Sequence, residues 1–237
     1  MKTGKQQAQE ESKSKPKLPT PNLAHFTRED YEKIYEPAED TFLFLDALEA
    51  EQDFLTALRP NLCLELGSGS GCVICFLASM LKSQQLAPVF LAIDVNQEAT
   101  FATQQTAKAN HVSIEGVRTD LFAGLEPRLH GLVDVLLFNP PYVPSEAEEM
   151  GTRDVCAAWA GGKDGREVLD RVLPLVANLL SERGVFYLVA IDENNPKDIR
   201  AIMSRSGFTS SIVLQRRAFN EQLYIIKFQR CHKKTSE

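Results

Sequence analysis

The chain has 237 residues, 43% of them hydrophobic and 24% charged, the balance of an ordinary globular protein with room for one well-buried domain. A formal net charge of −6 and a pI near 5.4 argue against a protein that holds nucleic acid by its bulk charge. Five scattered cysteines (Cys63, Cys72, Cys75, Cys156 and Cys231), the lack of an apolar run long enough to span a bilayer, and an N-terminus without an apolar signal core set the expectation of reduced thiols in an intracellular protein, cytoplasmic or also nuclear.

Residues 1–22 are rich in Lys, Gln, Ser, Glu and Pro and offer almost nothing to bury, so they read as a disordered polar tail, as do residues 231–237. The span 23–230 between them reads as the single domain. Tyr35-Glu36-Pro37-Ala38-Glu39-Asp40-Thr41 leads into Phe42, Leu43, Leu45, Leu48 and Phe54 at helical spacing. A helix is therefore expected from Pro37 or Ala38, with Glu39 and Asp40 suited to its first turn. Thr41 is either a ligand contact or polar helix surface.

Asn61 to Leu66 reads as a buried strand, followed at once by Gly67-Ser68-Gly69-Ser70-Gly71 and an apolar helix from Cys72 to Leu81. Strand, glycine loop and helix form the first half of a nucleotide-binding βαβ unit. The glycines alternate, unlike G-x-G-x-x-G, and an acid, Glu65, precedes them. With no pyrophosphate to cradle, that pattern fits S-adenosylmethionine better than a dinucleotide.

Val89 to Ile93 reads as a second strand ending at Asp94, where a carboxylate can accept from both ribose hydroxyls. A helix from Gln97 to Asn110 and a strand near Ser113–Arg118 follow, then Asp120-Leu121. Asp120 is placed to accept from an adenine amino group, with Leu121 beneath the ring. Asp94 and Asp120 could each instead cap the next element. Taken with Glu65 and the glycine loop, they favour a ligand.

The run Val133 to Phe138 is strand-like and ends in Asn139-Pro140-Pro141-Tyr142. In an open α/β sheet, the C-terminal end of a strand is where ligands bind. Asn139 offers a carbonyl acceptor and an NH2 donor. Pro140 and Pro141 stiffen the turn and remove two backbone donors. Tyr142 offers a flat face. Together they can hold a planar nitrogen-bearing group, an amide or an exocyclic amine, with its nitrogen toward an electrophile.

After Tyr142, Val143 to Lys163 reads as a long irregular and hence functional or mobile stretch, ending Trp159-Ala160-Gly161-Gly162. Trp159 would line the site or pack in the core. Asp164 is a candidate cap for a helix from Gly165 to Leu180. A strand at Gly184–Ala190, a helix at Pro196–Arg205 and a hairpin of Ser210–Leu214 with Gln222–Phe228, joined through Arg216 to Asn220, complete the chain. Cys72-x-x-Cys75 lies inside an apolar helix without a second pair, and the four histidines are dispersed; no metal site is expected.

The order of strands, helices and terminal hairpin is that of class I S-adenosylmethionine-dependent methyltransferases, an α/β, Rossmann-like and mostly parallel sheet ending in an antiparallel hairpin. Tyr35 to Thr41, Leu66 to Gly71, Asn139 to Tyr142 and Ala158 to Gly162 resemble the eukaryotic branch of the HemK/PrmC family of protein glutamine N5-methyltransferases. The resemblance spans about Tyr31 to Phe228. It implies S-adenosylmethionine as cofactor and methylation of the glutamine in the Gly-Gly-Gln loop of a class I translation termination factor. Thr41, Glu65, Gly67, Gly69, Asp94, Asp120 and Leu121 would hold the cofactor, with Asn139 between cofactor and acceptor. Asn139, Pro140, Pro141 and Tyr142 would bind the acceptor amide, with Asn139, Pro140 and Tyr142 catalytic.

Bacterial members carry an extra N-terminal helical domain, which too little ordered chain precedes Leu62 to build. The eukaryotic branch works with a small zinc-binding activator of the Trm112 type. With the family's strand order, the strand near Ser113–Arg118 is an edge, and Val112, Ile114 and Val117 would form an apolar margin for that partner. Asn-Pro-Pro-Tyr also occurs in adenine-N6 DNA methyltransferases, whose base flipping and backbone tracking the acidic balance disfavours. A lysine side chain, as in a histone, and a scaffold that transfers no methyl are the other readings.

Overall fold

The computed structural model describes residues 18–145 and 161–231. The strands are β1 (Leu62–Leu66), β2 (Val89–Asp94), β3 (Glu115–Arg118), β4 (Val133–Phe138), β5 (Leu180–Ile191), β6 (Phe208–Ala218) and β7 (Glu221–Arg230). They form one sheet in the order β3-β2-β1-β4-β5-β7-β6. Pairing is parallel from β3 across to β5, and β7 is antiparallel to both β5 and β6. The helices are α1 (Glu39–Ala50), α2 (Gln52–Leu58), α3 (Cys72–Ser83), α4 (Gln97–Ala109), α5 (Glu126–Leu129), α6 (Glu167–Leu179) and α7 (Pro196–Arg205).

The central strands are hydrophobic on both faces because both faces are covered. Along β5, Val185, Tyr187, Val189 and Ile191 join the core under α1 and α3, while Phe186, Leu188 and Ala190 join the core under α6 and α7. A register shift between Val133 and Val135 marks the start of β4. There the buried Asp134 accepts from Asn61 N at 2.7 Å and Ser181 Oγ at 2.6 Å, tying β4 to the entrances of β1 and β5.

After β1 the chain winds outward through β2 to β3, then returns to the other side of β1 as β4. The topological switch therefore falls between β1 and β4. Leu66 pairs with both Ile93 and Phe138. The loops that follow β1, β2 and β4 must then open side by side, in the crevice where such sheets bind ligands.

Several expected boundaries move, each for a visible reason. The first helix breaks at Glu51 before reaching Phe54, because Glu51 accepts from the Tyr187 hydroxyl at 2.7 Å and pairs with the buried Lys227, whose ammonium lies over the Phe54 ring. Asp164 does not cap α6. It sits at φ 57°, its carbonyl accepts from Asn194 Nδ2, and α6 begins only at Glu167. The hairpin turn shrinks to Phe219-Asn220, since Arg216 stays in β6 and reaches Asp46 on α1 at 2.5 Å.

Strand β3 is the sheet edge, as expected, but its apolar margin is not. Val112 and Ile114 precede the strand and turn under α4, Ile114 buried in one core, while Val117 packs on the opposite face. The exposed residues of β3 are Glu115 and Arg118.

The N-terminal boundary shifts as well. Leu18 donates its backbone N–H to Glu49 at 2.7 Å, and Asn22 exchanges two hydrogen bonds with Asn110, so the docked chain begins before residue 23. Residues 1–17 and 232–237, and with them most of both proposed tails, lie outside the described residues, as does Trp159.

Candidate active site

The glycine loop is shaped by backbone geometry. Gly67, Gly69 and Gly71 all have positive φ, at 67°, 51° and 74°. Gly71 also needs its missing Cβ, because that atom would stand 2.8 Å from Thr103 Cα. Helix α4 braces the loop through Thr103, which meets Ser68 Oγ at 2.8 Å, and Thr106, which donates to the Ser70 carbonyl at 2.7 Å.

Two acids flank it. Glu65 is buried beneath the loop and accepts from Ile74 N at 3.0 Å, capping α3. Burial holds its carboxyl well above the usual carboxylate range, outweighing that hydrogen bond. Asp94, at the end of β2, accepts from Gly69 N at 3.0 Å and Asn96 N at 2.9 Å. Burial raises its pKa too, against the pull of these N–H groups.

Asp120 lies farther out. It is exposed and paired with Arg171 on α6 at 2.7 Å, while Leu121 (φ 50°) packs toward the core beside α6. The link inward is a backbone one, Thr119 N donating to Asp94 O at 3.0 Å. Thr41 is buried in the first turn of α1, its hydroxyl 3.4 Å from both Ala38 N and Asp40 Oδ1.

On the other side of the switch point, Asn139 donates its side-chain amide to Asp40 Oδ2 at 2.8 Å. Its Oδ1 is buried and is, among the described residues, the one side-chain polar atom so placed without a partner. Pro140 is buried; Pro141 and Tyr142 are half-buried. Burial, then the charges of Asp40, Tyr35 and Glu221, push the Tyr142 hydroxyl above its ordinary range. Burial and Asp40 do the same to Tyr35. Both tyrosines are neutral donors at physiological pH, not bases.

The acceptor segment is clamped from behind. Asn194, 1% exposed, donates to the Tyr142 carbonyl at 2.8 Å while its Oδ1 accepts from Ile191 N at 2.9 Å. A Cβ at Gly161 would collide with the Pro141 carbonyl, and one at Gly165 with the Tyr142 carbonyl. The base of the long loop closes on itself, Gly161 N donating to Val143 O at 2.8 Å and Ser145 N to Gly162 O at 3.1 Å.

In the sequence Asp40 stands out only as a first-turn acid, and nothing local marks Asn194, Arg171 or the packing role of Gly165. Asp40 gave no local signal, since its partner lies 99 residues away. Cys72 and Cys75 are small hydrophobes in the core, as expected, their thiols raised by burial, Cys72 to about 12.

A mostly parallel sheet, an alternating glycine loop after β1, an acid ending β2 and a proline-stiffened amide after β4 define a class I methyltransferase. The family model of the methyltransferase small domain matches residues 40–219, and the chain belongs to that family. It is 51% identical over 209 residues to human "Methyltransferase HEMK2", covering 88% of this chain and 95% of that protein. It is 37% identical over 226 residues to the Schizosaccharomyces pombe "eRF1 methyltransferase catalytic subunit mtq2", covering 90% and 96%. Among solved structures it resembles the E. cuniculi Mtq2–Trm112 complex, described as responsible for methylating the eRF1 translation termination factor. The TM-score is 0.59 with 30% identity, over 84% of this chain and 99% of that one.

Proposed function

We propose that this chain is the catalytic subunit of a translation termination factor methyltransferase, placing a methyl group on N5 of the glutamine in the factor's Gly-Gly-Gln loop. The observation that carries the reading is the Asn139 carboxamide, whose Oδ1 is buried and unpartnered while its NH2 is held by Asp40. A buried acceptor without a donor is costly unless a ligand completes it. The relatives, named as an eRF1 methyltransferase catalytic subunit and as an Mtq2–Trm112 complex, support a termination factor as acceptor and a Trm112-type protein as partner.

The glycine-loop side fits S-adenosylmethionine. Gly67 and Gly69 leave ordinary van der Waals room where side chains would stand. The ionisable groups bonded beside the loop are acids, and Asp94 at its edge suits a hydroxyl-bearing ligand and opposes a pyrophosphate. Each Asp94 oxygen accepts one backbone N–H and keeps capacity for a ribose hydroxyl. Thr41, Glu65, Gly67, Gly69, Asp94, Asp120 and Leu121 would hold the cofactor, which when bound supplies an electrophilic methyl on a sulfonium, while Asn139 serves the acceptor side.

An amide nitrogen is a weak nucleophile because its lone pair is delocalised into the carbonyl. Hydrogen bonds from that NH2 to Asn139 Oδ1 and the Pro140 carbonyl strengthen as positive charge builds on nitrogen. Tyr142 fixes the plane of the amide, and Asn194 behind it holds the segment still. No strong base is required, since the proton can leave once the nitrogen carries the methyl.

The test is methyl transfer to termination factor, a histone and duplex DNA side by side, with a Trm112-type protein present, for wild type and Asn139→Ala. Transfer to the termination factor glutamine, lost in the variant while cofactor affinity stays, is the expected result. Lysine or adenine as the preferred acceptor, or near-normal turnover by the variant, would overturn the assignment.

A further inference from the structure

A carboxamide has two ends of similar shape and opposite hydrogen-bonding character, so a site that needs an acceptor must control which end faces the substrate. Asn139 has no such control within its own segment, since Pro140 and Pro141 carry no N–H to hold its oxygen. The control comes from Asp40. This residue is 2% exposed, and its two oxygens are used differently. Oδ1 accepts from Thr41 N at 2.7 Å and from the Tyr35 hydroxyl at 3.1 Å. Oδ2 accepts from Asn139 Nδ2 at 2.8 Å. With Oδ1 fixed by the first turn of α1 and by Tyr35, the carboxylate cannot rotate away from Asn139.

We infer that Asp40 is a positioning residue that fixes the polarity of Asn139. A carboxylate can only accept, so it binds the NH2 end and leaves Oδ1 toward the acceptor amide. The inference rests on the acceptor role proposed for Asn139, and it explains why the unpartnered atom there is an oxygen rather than a nitrogen. Tyr35 and Thr41 hold Asp40, Asp40 holds Asn139, and Asn139 meets the substrate.

The consequence is specific. In Asp40→Asn, the new Oδ1 still accepts from Thr41 N and Tyr35, which places the new NH2 against the NH2 of Asn139. Asn139 then turns over to offer its oxygen to residue 40, and a donor confronts the acceptor's own N–H. The fold is kept, because a near-isosteric change satisfies every group within the cluster. The reciprocal exchange, Asp40→Asn with Asn139→Asp, restores an acceptor on both sides. Residue 139 accepts from the NH2 of residue 40 and presents its second oxygen to the substrate.

The experiment measures kcat and KM for the termination factor, with a Trm112-type protein present, alongside cofactor affinity by calorimetry. The expected result for D40N is a fall in kcat of about 100-fold, the size of losing one transition-state hydrogen bond, with cofactor affinity retained. The double variant D40N/N139D should recover at least about tenfold over D40N, as contacting partners couple. A wholly structural role for Asp40 predicts no such recovery.

Near-normal kcat in D40N, or a double variant no better than D40N, would overturn the inference. A separate readout is the exchange rate of the Asn139 side-chain amide protons by NMR, slow in wild type and fast in D40N. If wild type fails to methylate the termination factor, the proposed function fails, while the exchange rates still decide whether Asp40 holds that amide; equal rates would sink the inference on their own.

Discussion

Gly71→Ala tests the architecture of the cofactor loop, because two costs meet at one atom. Gly71 has φ +74°, a conformation that costs an L-residue about 1–2 kcal/mol. An added Cβ would also stand 2.8 Å from Thr103 Cα and 3.0 Å from Thr103 Cγ2. The nearer atom is backbone in α4, so relief requires the loop and the helix to part, at about 1–3 kcal/mol more. The sum is about 2–5 kcal/mol, which for a chain of this size lowers Tm by about 4–20 °C. Gly124→Ala is the internal control, with nearly the same φ, +76°, and nothing within 4 Å of its added Cβ. It carries the backbone cost alone. Thermal denaturation of both variants isolates the packing part, and cofactor titration should show weaker binding only for Gly71→Ala. Equal Tm values for the two variants would refute the reasoning, by showing that the loop does not bear on α4.

Asp94→Ala should keep the fold and weaken S-adenosylmethionine binding by about 1.5–3 kcal/mol, read by calorimetry; unchanged affinity would remove Asp94 from the site. Glu65 has a folded-state pKa well above its unfolded value, so its contribution is full below about pH 4.5 and is lost as pH rises toward that folded pKa. Glu65→Gln, still able to accept from Ile74 N, should flatten this decline and stabilise the unliganded chain at pH 8 in denaturant titrations. A variant with an unaltered pH profile would show that Glu65 is not charged at a cost. Asn194→Ala strands the Tyr142 carbonyl and the Ile191 N–H and should destabilise by about 2–4 kcal/mol, with a raised KM for the acceptor protein. A change in kcat alone, without loss of Tm, would contradict a clamping role.

What could be read from the sequence was whatever is local in the chain. The apolar runs of β1, β2 and β4 stand within a residue of their expected ends, and α7 matches its expectation throughout, because hydrophobic runs and proline punctuation are short-range signals. The glycine loop was legible because alternating glycines have few other uses. Boundaries slipped where a distant group decides them: Glu51 breaks a helix for the sake of Tyr187, and Asp164 yields its capping position because Asn194 takes its carbonyl. The sequence places Ile114 in the apolar margin of an edge strand, whereas it falls in the connection just before β3 and is buried in the core. Asp120 shows the opposite limit. Its place after β3 could be read from the sequence, whereas its ion pair with Arg171, 51 residues on, could not.

The site is assembled from two pieces with different origins. The sheet alone, from β1 onward, brings the glycine loop, Asp94 and Asn139 together, because Leu66 is registered with both neighbours. It does not orient them. The segment ahead of β1 does so, laying Tyr35 against Gly69, bonding Lys33 O to Asn96 Nδ2, and reaching Asn139 through Asp40. Asp40 and Thr41 are adjacent in α1, so a shift of that first turn moves the residue proposed to touch the cofactor and the residue inferred to orient the acceptor together. Whatever factor binding on one side makes in affinity on the other is returned in the opposite direction, as linkage demands of coupled sites. The N-terminal segment is in this sense the third wall of the site, and Asp40 serves both sides of it, one oxygen bonded to the first turn of α1 and the other to Asn139.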